Sequence, residues 1–321
     1  MKAVRIDRYG GPEVLRLWEM DPPALKEGEV RIRLEAIGVN FIDVYHRTGL
    51  YGLELPFTPG MEGAGEVEER GPGVHDFTTG DRVAFAMTPG AYAEFANIPA
   101  RRLLRIPDAI STIQAAAVLL QGMTVHYLTK GSHYVRAQEK VLVHAGAGGV
   151  GRLLIQVCKH FGAYVIATTS TPEKAEIASE AGADEVILYA KKDFSEEVKK
   201  ITHNQGVEVV YDSVGKSTFE RSLECLKPRG ILVLFGQSSG PVPPFSPSLL
   251  ARNSLFMTRP SLAHYTAGRV ELLERAAEVF QWVQTGVLKL RMDQTYPLTQ
   301  AEEAHRRLES RRSSGKILIL P

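Results

Sequence analysis

Gly146, Gly148, Gly149 and Gly151 occupy four of six consecutive positions in the stretch HAGAGGVGRLLIQ. Glycine loses more freedom on ordering than any other residue, so this density marks a place where the backbone must come close to something. The spacing Gly146-x-Gly148-x-x-Gly151 is that of a dinucleotide-binding turn. One glycine makes the strand-to-helix turn, one lets a pyrophosphate touch the backbone, and one lets the helix pack on the sheet. The loop then consists of Gly146, Ala147, Gly148, Gly149, Val150 and Gly151, and the helix behind it offers unpaired N–H groups and a positive dipole end to phosphates. The alternative is a tight turn with no ligand. Context favours the ligand: the apolar run KVLV precedes the loop, and Val150, Leu153, Leu154, Val157 and Phe161 follow at helical spacing.

The strand after this helix selects the dinucleotide. An NAD site carries an acidic residue about 20 positions on, which binds the ribose 2′-hydroxyl. Here the strand ends VIATTSTPEK, with Thr169, Ser170 and Thr171 at its end and Lys174 close behind. Hydroxyls and a cation suit a 2′-phosphate that a carboxylate would repel, so NADPH is expected rather than NADH. Glu173 is the one discordant charge and is expected to point outward.

The elements needed to hold such a loop are legible around it. From 122 to 254 short apolar strands alternate with helical segments: KVLVH, AYVIATT, EVILY, GVEVVYDSVG and GILVLFG. That rhythm predicts βαβ units and a parallel, doubly wound sheet. VVYDSVG puts Asp212 and Ser213 at a strand's carboxyl end, where ligands bind in open sheets; Asp212 reads as a loop cap and not as catalytic. Residues 1–121 instead carry short strands broken by glycine and proline, among them MKAVRI, EVRIRLEAIGVN and GDRVAFA, which predicts a mostly antiparallel β domain. A proline-rich connection, SSGPVPPFSPSLL, leads to a tail of two helices and a last strand, KILILP. This tail, residues 255–321, is too small for its own core and is expected to complete the first domain. The first of its helices is predicted over 269–284, with Val270, Leu273, Ala277, Phe280 and Val283 as its apolar face.

Several function classes are disfavoured by composition. A formal net charge of +1 in 321 residues offers little to nucleic acid or to an anionic membrane. The basic run AHRRLESRRSSGK reads as a solvated helix face and loop. No apolar run approaches a membrane span, and MKAVRIDRYGGPEVL lacks the apolar core of a secretory signal, so a cytoplasmic location is expected. The two cysteines, Cys158 and Cys225, cannot build a disulfide framework or a zinc cage and are expected in the core. The first domain has no cysteine, and His46 and His75 stand apart there as expected surface or loop residues, so no metal is expected.

The chain resembles the zinc-free quinone oxidoreductases of the medium-chain dehydrogenase/reductase superfamily, the group that includes ζ-crystallin. The resemblance spans essentially the whole length. It rests on GVNFIDVYHRTGLY (38–51), PGMEGAGEVEERGPGV (59–74), AAAVLLQGMTVHYL (115–128), HAGAGGVG (144–151), VVYDSVG (209–215), FGQSSGPV (235–242), TRPSL (258–262) and GKILILP (315–321). The superfamily's zinc enzymes have Gly-His-Glu where this chain has Gly60-Met61-Glu62. The resemblance implies a GroES-like domain joined to a Rossmann domain, and NADPH-dependent reduction of a quinone in the cleft between them, without a metal. It marks Asn40, Tyr45 and Tyr51 as catalytic-pocket residues, with Asn40 and Ile42 also near the cofactor. Gln121, Thr124 and Tyr127 match a cofactor-facing stretch, and Ser170, Lys174 and Tyr189 a 2′-phosphate clamp. Phe235, Gly236 and the 256–258 backbone, with Phe256 and Thr258, match the nicotinamide side, and Arg311 an arginine near the cofactor; Ser213 is expected to touch the cofactor from its place at the strand's carboxyl end. Homodimers through the Rossmann domain are also implied. Two alternatives share the scaffold: NADPH-dependent reduction of alkenals and enones at C=C, and nucleotide-gated RNA binding. Gln121 and His126 depart from the family's commoner Lys and Tyr, which leaves the pocket's charge open.

Overall fold

The computed structural model describes residues 1–321. The chain opens with β1 (Lys2–Arg5), β2 (Arg16–Glu19), β3 (Glu29–Val39), α1 (Phe41–Arg47), β4 (Glu62–Arg70), β5 (Arg82–Ala86), β6 (Phe95–Pro99) and β7 (Leu104–Arg105). It continues through α2 (Thr112–Tyr127), β8 (Lys140–Val143), α3 (Gly149–His160), β9 (Tyr164–Thr169), α4 (Pro172–Glu180), β10 (Glu185–Leu188) and α5 (Phe194–Ile201). Next come β11 (Val207–Asp212), α6 (Phe219–Glu224), β12 (Leu226–Leu234), α7 (Ser248–Ala251), β13 (Phe256–Thr258) and α8 (Leu262–Tyr265). The chain closes with α9 (Arg269–Gln284), β14 (Met292–Pro297), α10 (Ala301–Glu309) and β15 (Lys316–Leu320).

Two compact units result: Met1–Met123 with Thr266–Gly286 and Leu290–Pro321, and Thr124–Tyr265 with Val287–Lys289. The first holds a seven-stranded sheet ordered β14-β15-β3-β4-β5-β7, with β6 also paired to β3. All its pairings are antiparallel except β14 with β15. The C-terminal strand lies directly beside β3, so the tail completes this sheet. Ile32, Ile37, Val67, Phe85, Ile98, Ile317 and Ile319 share its core.

The second unit is built on six parallel strands ordered β10-β9-β8-β11-β12-β13. The strand order reverses between β8 and β11, and in open α/β sheets ligands bind outside the carboxyl ends at such a switch point. The second domain boundary falls at Tyr265/Thr266 rather than at 254/255. The reason is that Phe256–Thr258 pairs with β12 as a sixth parallel strand.

Helix α9 spans the expected residues but turns a different face inward. Leu272, Ala276, Val279, Phe280 and Trp282 are buried, whereas Val270 is 70% exposed and Leu273 42%. Gly122 explains the rotation, since a Cβ there would stand 2.6 Å from Val279 Cγ1. The helix seats Val279 in the notch left by that glycine. Cys158 and Cys225 are buried, unpaired core thiols.

Candidate active site

The glycine loop leaves β8 at the switch point. Gly146 N–H donates to Thr168 O (3.0 Å) and Gly148 N–H to Ala145 O (2.9 Å), while Ala145 takes a left-handed φ of +54°. The glycines have separable jobs. A Cβ on Gly151 would stand 2.9 Å from the Ala145 carbonyl carbon and 3.1 Å from Gly146 Cα, closer still to the Ala145 oxygen. A Cβ on Gly146 would stand 2.9 Å from Ala167 Cβ. Both positions are closed by packing. At Gly148, the N-cap of α3, a Cβ would meet only Ala145 O at 3.2 Å. Gly148 therefore faces open space, where a ligand's phosphates can reach the free N–H groups of α3.

At the end of β9, Thr171 Oγ1 accepts from Lys174 N–H (3.3 Å) and starts α4. Tyr189 N–H donates to Thr169 O (3.1 Å). These bonds bring Ser170, Lys174 and Tyr189 to one corner of the sheet, while Glu173 is exposed. Thr169 Oγ1 is buried with no hydrogen-bond partner. By strand alternation it shares a face with Ala167, the side that meets Gly146. An orphaned hydroxyl beside a glycine cradle, with no carboxylate at the strand end, fits the adenosine end of NADPH.

Asp212 closes β11 as a loop cap. Its Oδ1 accepts from Val214 N–H (2.7 Å) and Gly215 N–H (3.0 Å), and its Oδ2 from Thr218 Oγ1 (2.7 Å) and Ser222 Oγ (3.0 Å). Because Ser222 donates its proton to the carboxylate, it accepts from His144 Nε2 (3.0 Å), and His144 Nδ1 accepts from Thr168 Oγ1 (2.9 Å). Burial holds the His144 pKa below its usual value, although the Asp212 charge pulls the other way, and a neutral ring fits this chain of bonds. Phe235 N–H donates to Asp212 O (2.9 Å), and a Cβ on Gly236 would stand 2.6 Å from Ser213 O. Ser213, Phe235 and Gly236 thus lie together at the carboxyl ends of β11 and β12. Phe256 does not join them: it pairs with Ile231, three residues before the end of β12, and is 59% exposed. Thr258 pairs with Val233, one residue from that end. The Tyr127 ring stacks on Tyr265 with centroids 4.5 Å apart, and Thr124 is buried one turn earlier on α2.

In the first unit, Asn40 caps α1. Its backbone N–H donates to Asp43 Oδ2 (2.8 Å), and Asp43 N–H donates to Asn40 O (3.0 Å). Ile42 and Tyr45 are half-buried on that helix, and the Tyr45 and Tyr51 rings meet edge-on with centroids 5.2 Å apart. Gln121 Nε2 reaches Asn40 Oδ1 at 3.4 Å. Arg311 lies in the turn after α10, at a left-handed φ of +59°.

Sequence reasoning missed the polar interior behind Asn40. Asp43 Oδ1 accepts from Met61 N–H (3.1 Å) and Oδ2 also from Tyr92 Oη (3.2 Å). Tyr92 Oη meets His305 Nε2 (2.9 Å), His305 Nδ1 meets Arg47 (3.1 Å), and Arg47 forks onto both oxygens of Glu309 (2.8 Å each). Burial pushes Asp43 up to about 7, although its hydrogen bonds and Lys316 pull the other way. Burial, and then the Arg47 charge, push His305 down to about 3. Glu62 pairs with Lys316 Nζ at 2.5 Å, both side chains buried. A detectable signal existed: Glu62 within MEGAG and Lys316 heading KILIL are charges in apolar strand contexts. His46 is likewise buried on α1, not a surface residue as expected, and its Nδ1 has no partner.

Comparison with known proteins agrees with this architecture. Residues 26–108 match the alcohol dehydrogenase GroES-like domain, and residues 149–284 the family described as zinc-binding dehydrogenase. The chain is 45% identical to quinone oxidoreductase 1 of Escherichia coli, over 99% of this chain and all of that one. This chain belongs to the quinone oxidoreductases of the medium-chain dehydrogenase/reductase superfamily. The Escherichia coli quinone oxidoreductase solved with NADPH superposes with a TM-score of 0.98 at 44% identity, covering both chains fully. The 2-haloacrylate reductase of a Burkholderia species is 42% identical over 99% of this chain and 98% of its own length. Within this family the Glu62 carboxylate is here committed to Lys316, Asn40 and Leu120 N–H.

Proposed function

We propose that this chain reduces quinones with NADPH. The observation that carries the reading is the glycine loop at the sheet's switch point next to a strand end that offers hydroxyls and Lys174 instead of a carboxylate. The likeness to a quinone oxidoreductase solved with NADPH supports it. When bound, NADPH supplies the hydride. The residues of this chain do the rest by positioning, which accounts for a large part of such a barrier. The N–H groups of the Gly148–Gly151 turn hold the pyrophosphate, and Ser170, Lys174 and Tyr189 hold the 2′-phosphate. Ser213, Phe235 and Gly236 seat the nicotinamide end, and Asn40, Tyr45 and Tyr51 orient the quinone. A quinone gains an aromatic ring on reduction, so it needs less electrophilic help than an aldehyde does.

The test is steady-state turnover of a benzoquinone and a naphthoquinone with NADPH and, separately, with NADH. Turnover preferring NADPH is expected; no turnover of either quinone would refute the reading. The haloacrylate-reducing relative favours a second reading, reduction of an activated C=C bond. An enone assayed beside the quinones decides between them.

The second copy of the chain that the family implies would add to β13, one of the two edges of the six-stranded sheet and the one where Phe256 is exposed. Light scattering should give twice the mass of one chain, and a monomer would rule this out. No helix is long and apolar enough to cross a membrane. Two buried free thiols fit a reducing, cytoplasmic setting.

A further inference from the structure

Lys316, on the last strand, sits beside the candidate pocket for a geometric reason. β15 pairs antiparallel with β3 in the register Ile317–Val39, which places Lys316 next to Asn40. On the other side of β3, the register Ile37–Gly63 places Glu62 next to Gly38. Gly38 has no side chain, and the Glu62 carboxylate occupies that vacancy. A Cβ on Gly38 would stand 2.7 Å from Glu62 Cδ and 2.6 Å from Ala116 O. Through this slot Glu62 reaches across β3 to the Lys316 ammonium.

The three side chains then define one another. Lys316 Nζ can only donate, and it donates to Asn40 Oδ1 (2.9 Å) and Glu62 Oε2 (2.5 Å). Glu62 Oε2 can only accept, and it takes Asn40 Nδ2 (2.9 Å), whose other hydrogen goes to Gly38 O (3.1 Å). The Asn40 amide therefore has a single orientation: its oxygen faces Lys316 and its nitrogen faces Glu62. The other Glu62 oxygen accepts from Leu120 N–H (2.6 Å), the residue before Gln121 on α2. One buried ion pair thus governs the Asn40 amide and the place of α2 beside it.

We infer that Lys316 is a positioning residue: it orients the Asn40 amide and neutralises Glu62, so that Asn40, its own hydrogen-bonding groups all taken within the protein, holds Gln121 in one place as the polar edge offered to the substrate. This rests on the proposed function, in which Asn40 orients the quinone. Neither Lys316 nor Glu62 touches substrate in this scheme. Both act through Asn40 and α2.

The decisive variant is K316M/E62Q. Lys316→Met alone strands a buried carboxylate and is expected to melt far below wild type or fail to fold. The double variant removes both charges. The side-chain amide introduced by Glu62→Gln keeps an oxygen on Leu120 N–H and presents an NH₂ to Asn40, which must turn its own oxygen toward it. The Asn40 amide is thereby reversed in a neutral, packed setting. The full chain is assayed with NADPH and a benzoquinone, and every value is read relative to wild type. Failure of wild type to turn over refutes the functional reading, not this inference.

For the folded double variant we expect NADPH affinity within about threefold of wild type, kcat at least roughly tenfold lower, and a raised KM for the quinone. K316R, which keeps a cation, should recover most of the lost kcat. A second readout needs no turnover and no variant. In wild type the two Asn40 side-chain amide protons should be distinct and slow to exchange by NMR, because both are held. A folded double variant with kcat and KM within about twofold of wild type overturns the inference. So do averaged, rapidly exchanging Asn40 amide protons in wild type, and this measurement decides the matter if the double variant does not fold.

Discussion

Gly148 and Gly151 sit three residues apart in one loop, yet substitution by alanine should have opposite signatures. At Gly151 the new Cβ would meet backbone only: 2.9 Å from the Ala145 carbonyl carbon, 3.1 Å from Gly146 Cα, and nearer again to the Ala145 oxygen. No side chain can yield, so the first turn of α3 must move off the loop by about 1 Å to restore contact distances. Such overpacking costs about 1–3 kcal/mol, and alanine's better helix propensity returns at most about 1. A net loss of about 1–2 kcal/mol lowers the melting temperature by several degrees at most in a protein of this size. The same displacement pulls the helix N–H groups away from the pyrophosphate, so NADPH and NADH should weaken together, by about tenfold or more. At Gly148, φ is −73° and only Ala145 O stands within 4 Å, at 3.2 Å. Gly148→Ala should leave the melting temperature near wild type while weakening both dinucleotides at least as much, because its methyl group enters the space the phosphates need. The assays are thermal melting without ligand and cofactor titration by fluorescence. If G148A binds like wild type, or G151A melts like wild type, the division between an approach glycine and a packing glycine is wrong.

Lys174→Ala should cost NADPH about tenfold or more in affinity and leave NADH nearly untouched, shifting the ratio that the glycine variants preserve; an unchanged ratio would mean the 2′-phosphate is held elsewhere. Tyr92→Phe removes the donor to Asp43 and the acceptor for His305, and should destabilise the first unit by about 1–3 kcal/mol in urea melts, with NADPH affinity unchanged. Acid stability should reflect groups that act in opposite directions. His305, held near 3 against an ordinary 6.5, costs stability as pH falls from 6.5 toward 3, because the unfolded chain takes up a proton that the native chain refuses. Asp43, raised from 3.8 to about 7, costs stability in the other direction, as pH rises from 3.8 through 7. Between pH 4 and 6.5 Asp43 offsets part of the histidine slope, to which His46 and His144, both held below their usual value by burial, add in the same sense as His305. In H305Q, stability should fall less steeply on acidification across that range than in wild type, and a curve parallel to wild type would falsify the assignment.

Local signals carried much of this protein in the open. The glycine spacing, the following helix and the βα rhythm each depend on a few neighbouring residues, and the parallel sheet follows from them. The strand end around Ser170 and Lys174 was legible for the same reason: it needs only position relative to the loop and charge. Faces were harder. The inward stripe of α9 is set by the notch at Gly122, a residue 157 positions before Val279, and no periodicity within the helix contains that information. His46 looked solitary because no neighbour in sequence explains its burial.

The amino-acid sequence alone determined the family, the two kinds of sheet and the place of the glycine loop, because these rest on short-range pattern and motif chemistry. Only the tertiary structure decided which charges face each other. Lys316 meets Asn40 and Glu62 because three strands from distant parts of the chain, β15, β3 and β4, lie side by side in one sheet. Arg47 on α1, Tyr92 in the segment between β5 and β6, and His305 on α10 also come from distant parts of the chain, and it is the packing of helices on the sheet that brings them together. A buried polar group must find a partner wherever the fold brings one, and that choice is made by strand register and helix packing between distant segments, which no local stretch of sequence records.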